Sequence, residues 1–253
     1  MGDERPPAGD QDARRPSAGT RPDQLVLVAG AGTGVGKTWL TAQLVGVLAR
    51  RGVRAVARKL AQSFAPEDEP AGRDAAVLGA ASGEPAEVVC PPHRWYPAVM
   101  APPMAAAALR RAPFAVADLL SELRWPGPAA PGTGGVTVGF LETAGGVRSP
   151  QADDGDVGTV AGLVEPDLVV VVVGAGLGAI NDAVLASDAL RGAVPTLAVG
   201  SLVVVLNRFD PDVAVHRANR RWLEDRAGLL VAAAPADLGA LATSLRAGSF
   251  SRA

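Results

Sequence analysis

A glycine-rich segment that ends in Gly-Lys-Thr is the part of this chain whose residue types point most directly to chemistry. The segment reads Gly30-Ala31-Gly32-Thr33-Gly34-Val35-Gly36-Lys37-Thr38. Glycines let consecutive backbone N–H groups turn toward one anion, and a helix N-terminus beside them adds positive potential. A lysine at this position reaches the β- and γ-phosphates of a nucleotide, and the next hydroxyl ligates magnesium. The segment therefore predicts a P-loop for ATP and Mg²⁺.

The spacing of this loop is unusual, because five residues separate Gly30 from Gly36, one more than the common pattern has. A glycine-rich strand-to-helix turn without a ligand is the alternative interpretation. The context favours the phosphate-binding loop, since an apolar run at 25–29 precedes it and an amphipathic helical pattern follows Lys37.

Two charged residues lie at the ends of other predicted strands. Lys59 closes the run 54–59, and a second cation near the γ-phosphate would stabilise charge that develops during phosphoryl transfer. From spacing alone, a strand-end lysine in solvent is the simpler interpretation. Glu142 closes the run 136–142 before a glycine turn, which is a position suited to a magnesium ligand. A helix-capping glutamate is its alternative.

Three further polar residues stay ambiguous from their local sequence. Asp74 begins a helical pattern, and a helix N-cap is its simpler interpretation. Asn207 follows the apolar run 203–206 and offers both a donor and an acceptor to an adenine edge, or it forms a turn. Ser63 by itself is an ordinary loop serine.

The elements that must position these residues alternate along the chain. The predicted strands are 25–29, 54–59, 136–142, 168–174, 202–207 and, last, 229–233. The predicted helices are 37–51, 74–81, 104–111, 115–123, 180–190, 213–226 and 238–245, with a loop at 126–135. This alternation predicts a single α/β domain with a doubly wound, mostly parallel sheet. Ligands of such sheets bind beyond the carboxyl ends of the strands, where the candidate residues fall.

Composition narrows the class of protein. At 253 residues, 48% of them apolar, the chain is long enough to bury a sizeable core. The formal charge of −2 gives no basic field, so we expect no nucleic-acid partner. One cysteine, Cys90, fits a reducing cytoplasm, and with two histidines it argues against a dedicated zinc site.

The ends of the chain and its apolar runs give the remaining expectations. We predict no membrane span, because no run approaches the roughly 20 apolar residues that one needs. The N-terminus lacks the apolar core of a secretory signal. Residues 1–22 are predicted to form a disordered tail and residues 23–253 the domain.

Taken together, these segments resemble the dethiobiotin synthetase family from about Leu25 to Asp237. The matching features are the stretched loop with Thr33, a Lys59-x-x-x-Ser63 segment, Asp74 before Ala-x-x-Leu, Glu142 with Ala144-Gly145-Gly146, and Gly174-x-x-Leu177-Gly178-x-x-Asn181. Asn207 matches an asparagine that contacts the base in the family. The resemblance implies a fold of the P-loop NTPase type.

The activity that the resemblance implies is that of a ligase of biotin biosynthesis. Such an enzyme closes 7,8-diaminopelargonate with CO2 and ATP to dethiobiotin, through a carbamate and a carbamic–phosphoric anhydride. The resemblance also implies a homodimer that needs Mg²⁺.

Residue roles follow from the same resemblance. Lys59 and Lys37 would act in catalysis, and Thr38, Asp74 and Glu142 would hold Mg²⁺. Thr33, Ser63 and Asn181 would contact the diamine, Asn181 from the neighbouring subunit. The nucleotide would be bound by Gly34, Val35, Gly36, Lys37, Thr38, Trp39, Asp74, Glu142, Thr143, Ala144, Gly145, Asn207 and Pro235.

The chain also departs from the family pattern. Leu60, Phe64 and Thr143 stand where the family has proline, glycine and glycine, and Ala101-Pro102-Pro103 replaces a Ser-Pro-His segment. Phe64 and Ala101 are expected at the substrate end. Two alternatives therefore remain: an ATP-dependent amidoligase with another substrate, or a non-catalytic nucleotide-dependent dimer switch. The partitioning type of switch carries an early loop lysine that is missing before Lys37, which disfavours it.

Overall fold

The computed structural model describes residues 21–126, 135–197 and 199–247. In chain order the elements are β1 (Gln24–Gly30), α1 (Lys37–Arg50), β2 (Arg54–Lys59), β3 (Gln62–Ser63), α2 (Asp74–Ser82), α3 (Ala86–Val89), β4 (Trp95–Tyr96), α4 (Pro102–Ala108), α5 (Val116–Ser121), β5 (Thr137–Glu142), α6 (Val157–Val164), β6 (Leu168–Gly174), α7 (Ala179–Ala193), β7 (Leu202–Asn207), α8 (Ala214–Asp225), β8 (Leu230–Ala233) and α9 (Leu238–Ala247). Short 3₁₀ turns lie at Pro70–Gly72, Pro92–Arg94 and Val199–Ser201.

The main sheet that the described residues form has the strand order β2-β5-β1-β6-β7-β8, and all neighbours pair in parallel. From β1 the chain goes to the edge strand β2 and returns to β5, which lies between them, and then crosses to the other side of β1 for β6, β7 and β8. Lys59 and Val28 both lie in register with Glu142. The carboxyl ends of β1, β2 and β5 therefore meet at one edge.

Helices cover both faces of the sheet, which explains why the strands are continuous apolar runs rather than alternating ones. On β1, Leu25, Leu27 and Ala29 pack into the core formed with α4 to α8. Val26 and Val28 pack on the opposite face with α1, α2, α3 and α9. The predicted doubly wound α/β fold is confirmed.

Helices α3 and α6 were not predicted, and the other differences from the predicted elements are local. Helix α4 begins at Pro102 rather than at 104, because a proline fits the first turn of a helix, where its missing N–H is not needed. It ends at Ala108, and Arg110 takes a left-handed conformation with φ of 55°. The two-stranded β3–β4 ladder was not predicted, since two residues carry no periodicity.

Two expectations fall largely on residues outside the described part of the chain. The predicted loop at 126–135 lies there except at its ends, and the predicted tail lies there except for its last two residues. Of those two, Arg21 pairs with Asp167 at 3.0 Å and Pro22 is buried. No helix within the described ranges is long and apolar enough to cross a membrane.

Candidate functional site

A cavity of about 590 Å³ lies at the carboxyl edge of the sheet, between the glycine-rich loop, β2, β5 and the segment 99–102. Many of the predicted site residues line it. They are Thr33, Gly34, Gly36, Lys37, Thr38, Lys59, Ser63, Asp74, Glu142, Ala144 and Gly145. Val35, Trp39, Thr143, Asn181, Asn207 and Pro235 do not line it. The tertiary structure thus brings segments more than 100 residues apart to one place.

The glycine-rich loop holds the Lys37 side chain in place at the N-terminus of α1. Its ammonium donates to the carbonyl of Gly32 at 2.9 Å and to that of Gly145 at 2.7 Å. Burial lowers the pKa of Lys37 to about 8, and the nearby positive charge of Lys59 adds to the decrease. An ammonium has three donors, so one remains for a bound anion.

A compact charge cluster lies beside this lysine. The Lys59 ammonium, only 3% exposed, contacts Asp74 Oδ2 and Glu142 Oε1, each at 2.7 Å. Burial alone would lower the pKa of Lys59, but the two carboxylates raise it above its ordinary value. Burial alone would raise the pKa of Asp74, but the charge of Lys59 lowers it below its ordinary value.

The cluster decides between the alternative interpretations of its members. Lys59 is buried, so its interpretation as a solvent-exposed lysine at a strand end is wrong. Asp74 opens α2, but its carboxylate accepts from Thr38 and Lys59 and makes no N-cap hydrogen bond. Glu142 is fully buried and bonds to Thr38, Thr41 and Lys59 rather than capping a helix.

The donor set at this cluster fits a magnesium ion. Thr38 Oγ1 lies 2.7 Å from Asp74 Oδ1 and 2.8 Å from Glu142 Oε1. One hydroxyl proton serves only one of these two carboxylate oxygens, and a cluster of carboxylate and hydroxyl oxygens suits a hard cation. In the described chain no three His, Cys, Asp or Glu side chains form a metal cluster. Two carboxylates and a hydroxyl leave coordination positions for phosphate oxygens, as Mg²⁺ prefers.

Thr41 and Gln151 complete the surroundings and were missed from the sequence. Thr41, one turn after Lys37, donates to the Lys37 carbonyl at 3.0 Å and lies 3.2 Å from Glu142 Oε2. Gln151 binds the Ala144 backbone. The sequence also held a signal that Lys59 belongs to the site, because Lys37 and Lys59 are the only lysines among the 24 lysine and arginine residues of the chain.

Comparison with known proteins agrees with this geometry. A family model described as an AAA domain matches residues 24–235. The ATP-dependent dethiobiotin synthetase BioD of Haloferax mediterranei is 36% identical over 212 residues, which are 82% of this chain and 82% of that protein. The enzyme of the same name from Anaeromyxobacter sp. strain Fw109-5 is 32% identical over 76% of this chain and 82% of its own. This chain belongs to the dethiobiotin synthetase family. The predicted resemblance is confirmed.

A solved structure shows a more distant likeness. The chloroplast FtsY of Physcomitrella patens is 14% identical, covers 84% of this chain and 57% of its own, and has a TM-score of 0.44. A likeness at this level carries no conclusion about function.

The residues assigned to the base of the nucleotide by analogy with the dethiobiotin synthetases do not line the cavity. Asn207, at the end of β7, donates from Nδ2 to the Val35 carbonyl at 2.9 Å. The next residue, Arg208, donates to the Gly34 carbonyl at 3.0 Å and was not predicted. Trp39 on α1 is 41% exposed, and Pro235 follows β8 on the surface. The end of β7 is thereby fixed to the loop.

Thr143 is where this family member departs from the usual glycine. It is buried, and both its backbone N–H and its hydroxyl donate to the Val28 carbonyl at 3.1 Å. The extra side chain therefore points into the sheet and takes a hydrogen bond there. It does not obstruct the cavity.

The residues assigned to the diamine divide into two groups. Thr33 and Ser63 line the cavity, and Ser63 Oγ is buried with no hydrogen-bond partner among the described residues. Asn181 is exposed at the start of α7, away from this cavity. Ala101 lines the cavity, as expected for the substrate end, whereas Phe64 stacks under Arg73 at 3.9 Å and does not line it.

Proposed function

We propose that this protein closes the ureido ring of dethiobiotin from 7,8-diaminopelargonate, CO2 and ATP. One observation carries the proposal beyond family membership. Both lysines of the chain line one cavity, and so does Ser63, whose buried hydroxyl has no partner among the described residues. A phosphate end and a polar substrate end therefore share one cavity.

In the proposed reaction an amine of the substrate takes up CO2 and forms a carbamate. A carbamate oxygen attacks the γ-phosphorus, the bond to the bridging oxygen breaks, and ADP leaves. The second amine then attacks the carbamoyl carbon, a C–N bond closes the ring, and inorganic phosphate leaves. ATP, CO2 and the diamine are all consumed, and no oxidant or reductant is needed.

The side chains of the cavity act on this reaction through position and charge. Lys37, oriented by two carbonyls, directs its remaining donor toward the β- and γ-phosphates. Lys59 supplies positive charge where the carbamate oxygen meets the phosphoryl group. Thr38, Asp74 and Glu142 would hold Mg²⁺, which neutralises charge on the phosphates when bound.

The substrate end is formed by residues of contrasting polarity. Ser63 offers a hydroxyl to an amine or to the carbamate, and Thr33 of the glycine-rich loop lines the same cavity. Val99 and Met100 line the same cavity and have exposed apolar surface, so they provide apolar contact for an alkyl chain.

Reconstitution tests the proposal. Protein, Mg²⁺, bicarbonate and a panel of ATP, GTP and CTP are mixed with or without diaminopelargonate, and dethiobiotin and phosphate are measured. We expect equal amounts of both products, and only with the diamine. Phosphate release that does not depend on the diamine would refute ring closure and favour the nucleotide-dependent dimer switch.

The proposal includes a homodimer in which Asn181 reaches the diamine of the neighbouring subunit, and a cytoplasmic location. The exposure of Asn181 and Leu177 at the start of α7 is what supports the shared site. Mixing inactive Asn181→Ala and Lys59→Ala proteins tests it, since a mixed dimer would regain one intact site. Random pairing restores about a quarter of wild-type activity if a closed two-fold dimer shares its sites. No recovery on mixing would contradict it.

A further inference from the structure

Gln151 is a buried amide in the segment between β5 and α6, and the reaction proposed above gives it no role. It is 1% exposed. Its Oε1 accepts from the Ala144 N–H at 2.9 Å, and its Nε2 donates to the Ala144 carbonyl at 2.8 Å and to the Ser149 carbonyl at 3.0 Å. The side chain therefore pairs with both backbone groups of Ala144, as a neighbouring strand would.

The segment itself fixes the position of this amide. The Gln151 backbone N–H donates to the Gly155 carbonyl at 2.8 Å. Within the turn, Ser149 N–H donates to the Gly146 carbonyl at 2.9 Å, and Gly146 N–H donates to Ser149 Oγ at the same distance. Each end of the turn is bonded, so it has little freedom to move independently of Gln151.

The hydrogen bonds that hold Ala144 also affect the next residue, Gly145. The Gly145 carbonyl is the group that accepts from Lys37 Nζ at 2.7 Å. Gly145 has a φ of +66°, so the direction of its carbonyl depends on a backbone conformation that the neighbouring peptide must maintain. Lys37 has three donors, of which Gly145 and Gly32 accept two. The direction of the third donor is thus linked to Gln151.

A purely space-filling role does not account for this arrangement. An apolar side chain of the same length would fill the volume but leave the N–H and C=O of the part-buried Ala144 without their side-chain partner. Unsatisfied buried backbone groups are costly, and the turn would rearrange to reach other partners. The Gly145 carbonyl would then change direction together with the turn.

We propose that Gln151 is a positioning residue, which orients the Gly145 carbonyl and through it the Lys37 ammonium toward the β- and γ-phosphates of the nucleotide. The inference rests on the nucleotide-binding part of the proposed function and not on ring closure. It predicts that loss of the amide weakens binding of a triphosphate far more than binding of a monophosphate, which does not reach Lys37.

The test compares AMP-PNP and AMP, each with Mg²⁺, by isothermal titration calorimetry on the full-length chain. Gln151→Met keeps the length but removes every side-chain hydrogen bond. We expect the Kd for AMP-PNP to rise about tenfold or more, as for loss of one oriented charged contact, and the Kd for AMP to change by less than about threefold. Leu190→Val, a core change near the far end of α7, is the control and should leave the ratio of the two values unaltered.

A second variant keeps the inference testable if Gln151→Met does not fold. Gln151→Glu is isosteric and still accepts from Ala144 N–H, but it no longer donates to the carbonyls of Ala144 and Ser149. It should lose the same selectivity for the triphosphate. Equal weakening of AMP and AMP-PNP, or no weakening, would overturn the positioning role. If the wild-type protein binds no AMP-PNP, the nucleotide site itself is wrong and the proposed function fails with it.

Discussion

Replacing Gly36 with alanine should strain the phosphate loop in two separable ways. Gly36 has a φ of +96°, a region that costs an L-residue about 1–2 kcal/mol. A Cβ built at this position would lie 2.0 Å from Asn207 Nδ2, well inside van der Waals contact. Relieving that overlap moves Asn207, whose Nδ2 donates to Val35, and overpacking of this kind costs about 1–3 kcal/mol.

Two neighbouring glycines separate these contributions. Gly34 also has a positive φ, 73°, but a Cβ there would meet nothing within 4 Å among the described residues. Gly32 has neither feature. We therefore expect Gly34→Ala to lose about 1–2 kcal/mol from strain alone. Gly36→Ala should lose about 2–5 kcal/mol, and Gly32→Ala should be neutral or slightly stabilising.

Thermal unfolding of the nucleotide-free protein measures the series. For a chain of this size each kcal/mol lowers Tm by about 2–4 °C, so Gly36→Ala should melt roughly 4–20 °C below wild type. Adding Asn207→Ala to Gly36→Ala removes the overlapping atom, and the double variant should lose less than the sum of the single changes. The reasoning is refuted if Gly36→Ala is no less stable than Gly34→Ala, or if the two changes are additive.

Four further variants or reagents test individual side chains. Lys59→Ala should lower turnover by about a hundredfold or more, as loss of one preorganised donor does, and normal turnover in a coupled phosphate assay would exclude its assigned role. Thr41→Val removes the hydroxyl beside Glu142 Oε2, and since outer-shell changes cost about 10–100-fold in metal affinity, the Mg²⁺ needed for half-maximal activity should rise. An unchanged Mg²⁺ titration would contradict this expectation. Ser63→Ala should raise KM for the diamine without lowering Tm, because its hydroxyl has no partner to lose within the described structure. A lower Tm with unaltered KM would assign Ser63 to stability instead. Amine acylation near pH 8 should modify Lys37 before Lys59, because the neutral amine reacts and about half of Lys37 is neutral at a pKa of about 8, whereas the raised pKa of Lys59 keeps it charged. Peptide mapping by mass spectrometry distinguishes the two lysines, and preferential labelling of Lys59 would contradict the assignment.

The parts of the fold that were predictable are those that local sequence controls. The bounds of β2, β6 and β7 agree with the predicted runs, because strands buried on both faces are continuous apolar segments with polar residues or glycines at their ends. The shift of α4 and the β3–β4 pair were not predictable from periodicity. A seven-residue helix shows barely two turns of pattern, and a two-residue strand shows none.

Lys59 and Gln151 show why part of the site was not predictable. Spacing alone placed Lys59 in solvent, yet it is buried because β2 pairs with β5 in the register that sets Lys59 beside Glu142. Gln151 lies in a segment with no motif, and its importance depends on reaching Ala144, seven residues earlier. No local sequence pattern indicates a contact of this kind.

The sequence by itself determined the glycine-rich loop, the alternation of strands and helices, and the placement of charged residues at strand ends. These features depend on backbone freedom, periodicity and burial over a few neighbouring residues. Only the tertiary structure decided which strand ends meet, and therefore that Lys37, Lys59, Asp74 and Glu142 surround one cavity. Strand order and register depend on long-range packing, in which β1 lies between β5 and β6 and helices cover both faces of the sheet.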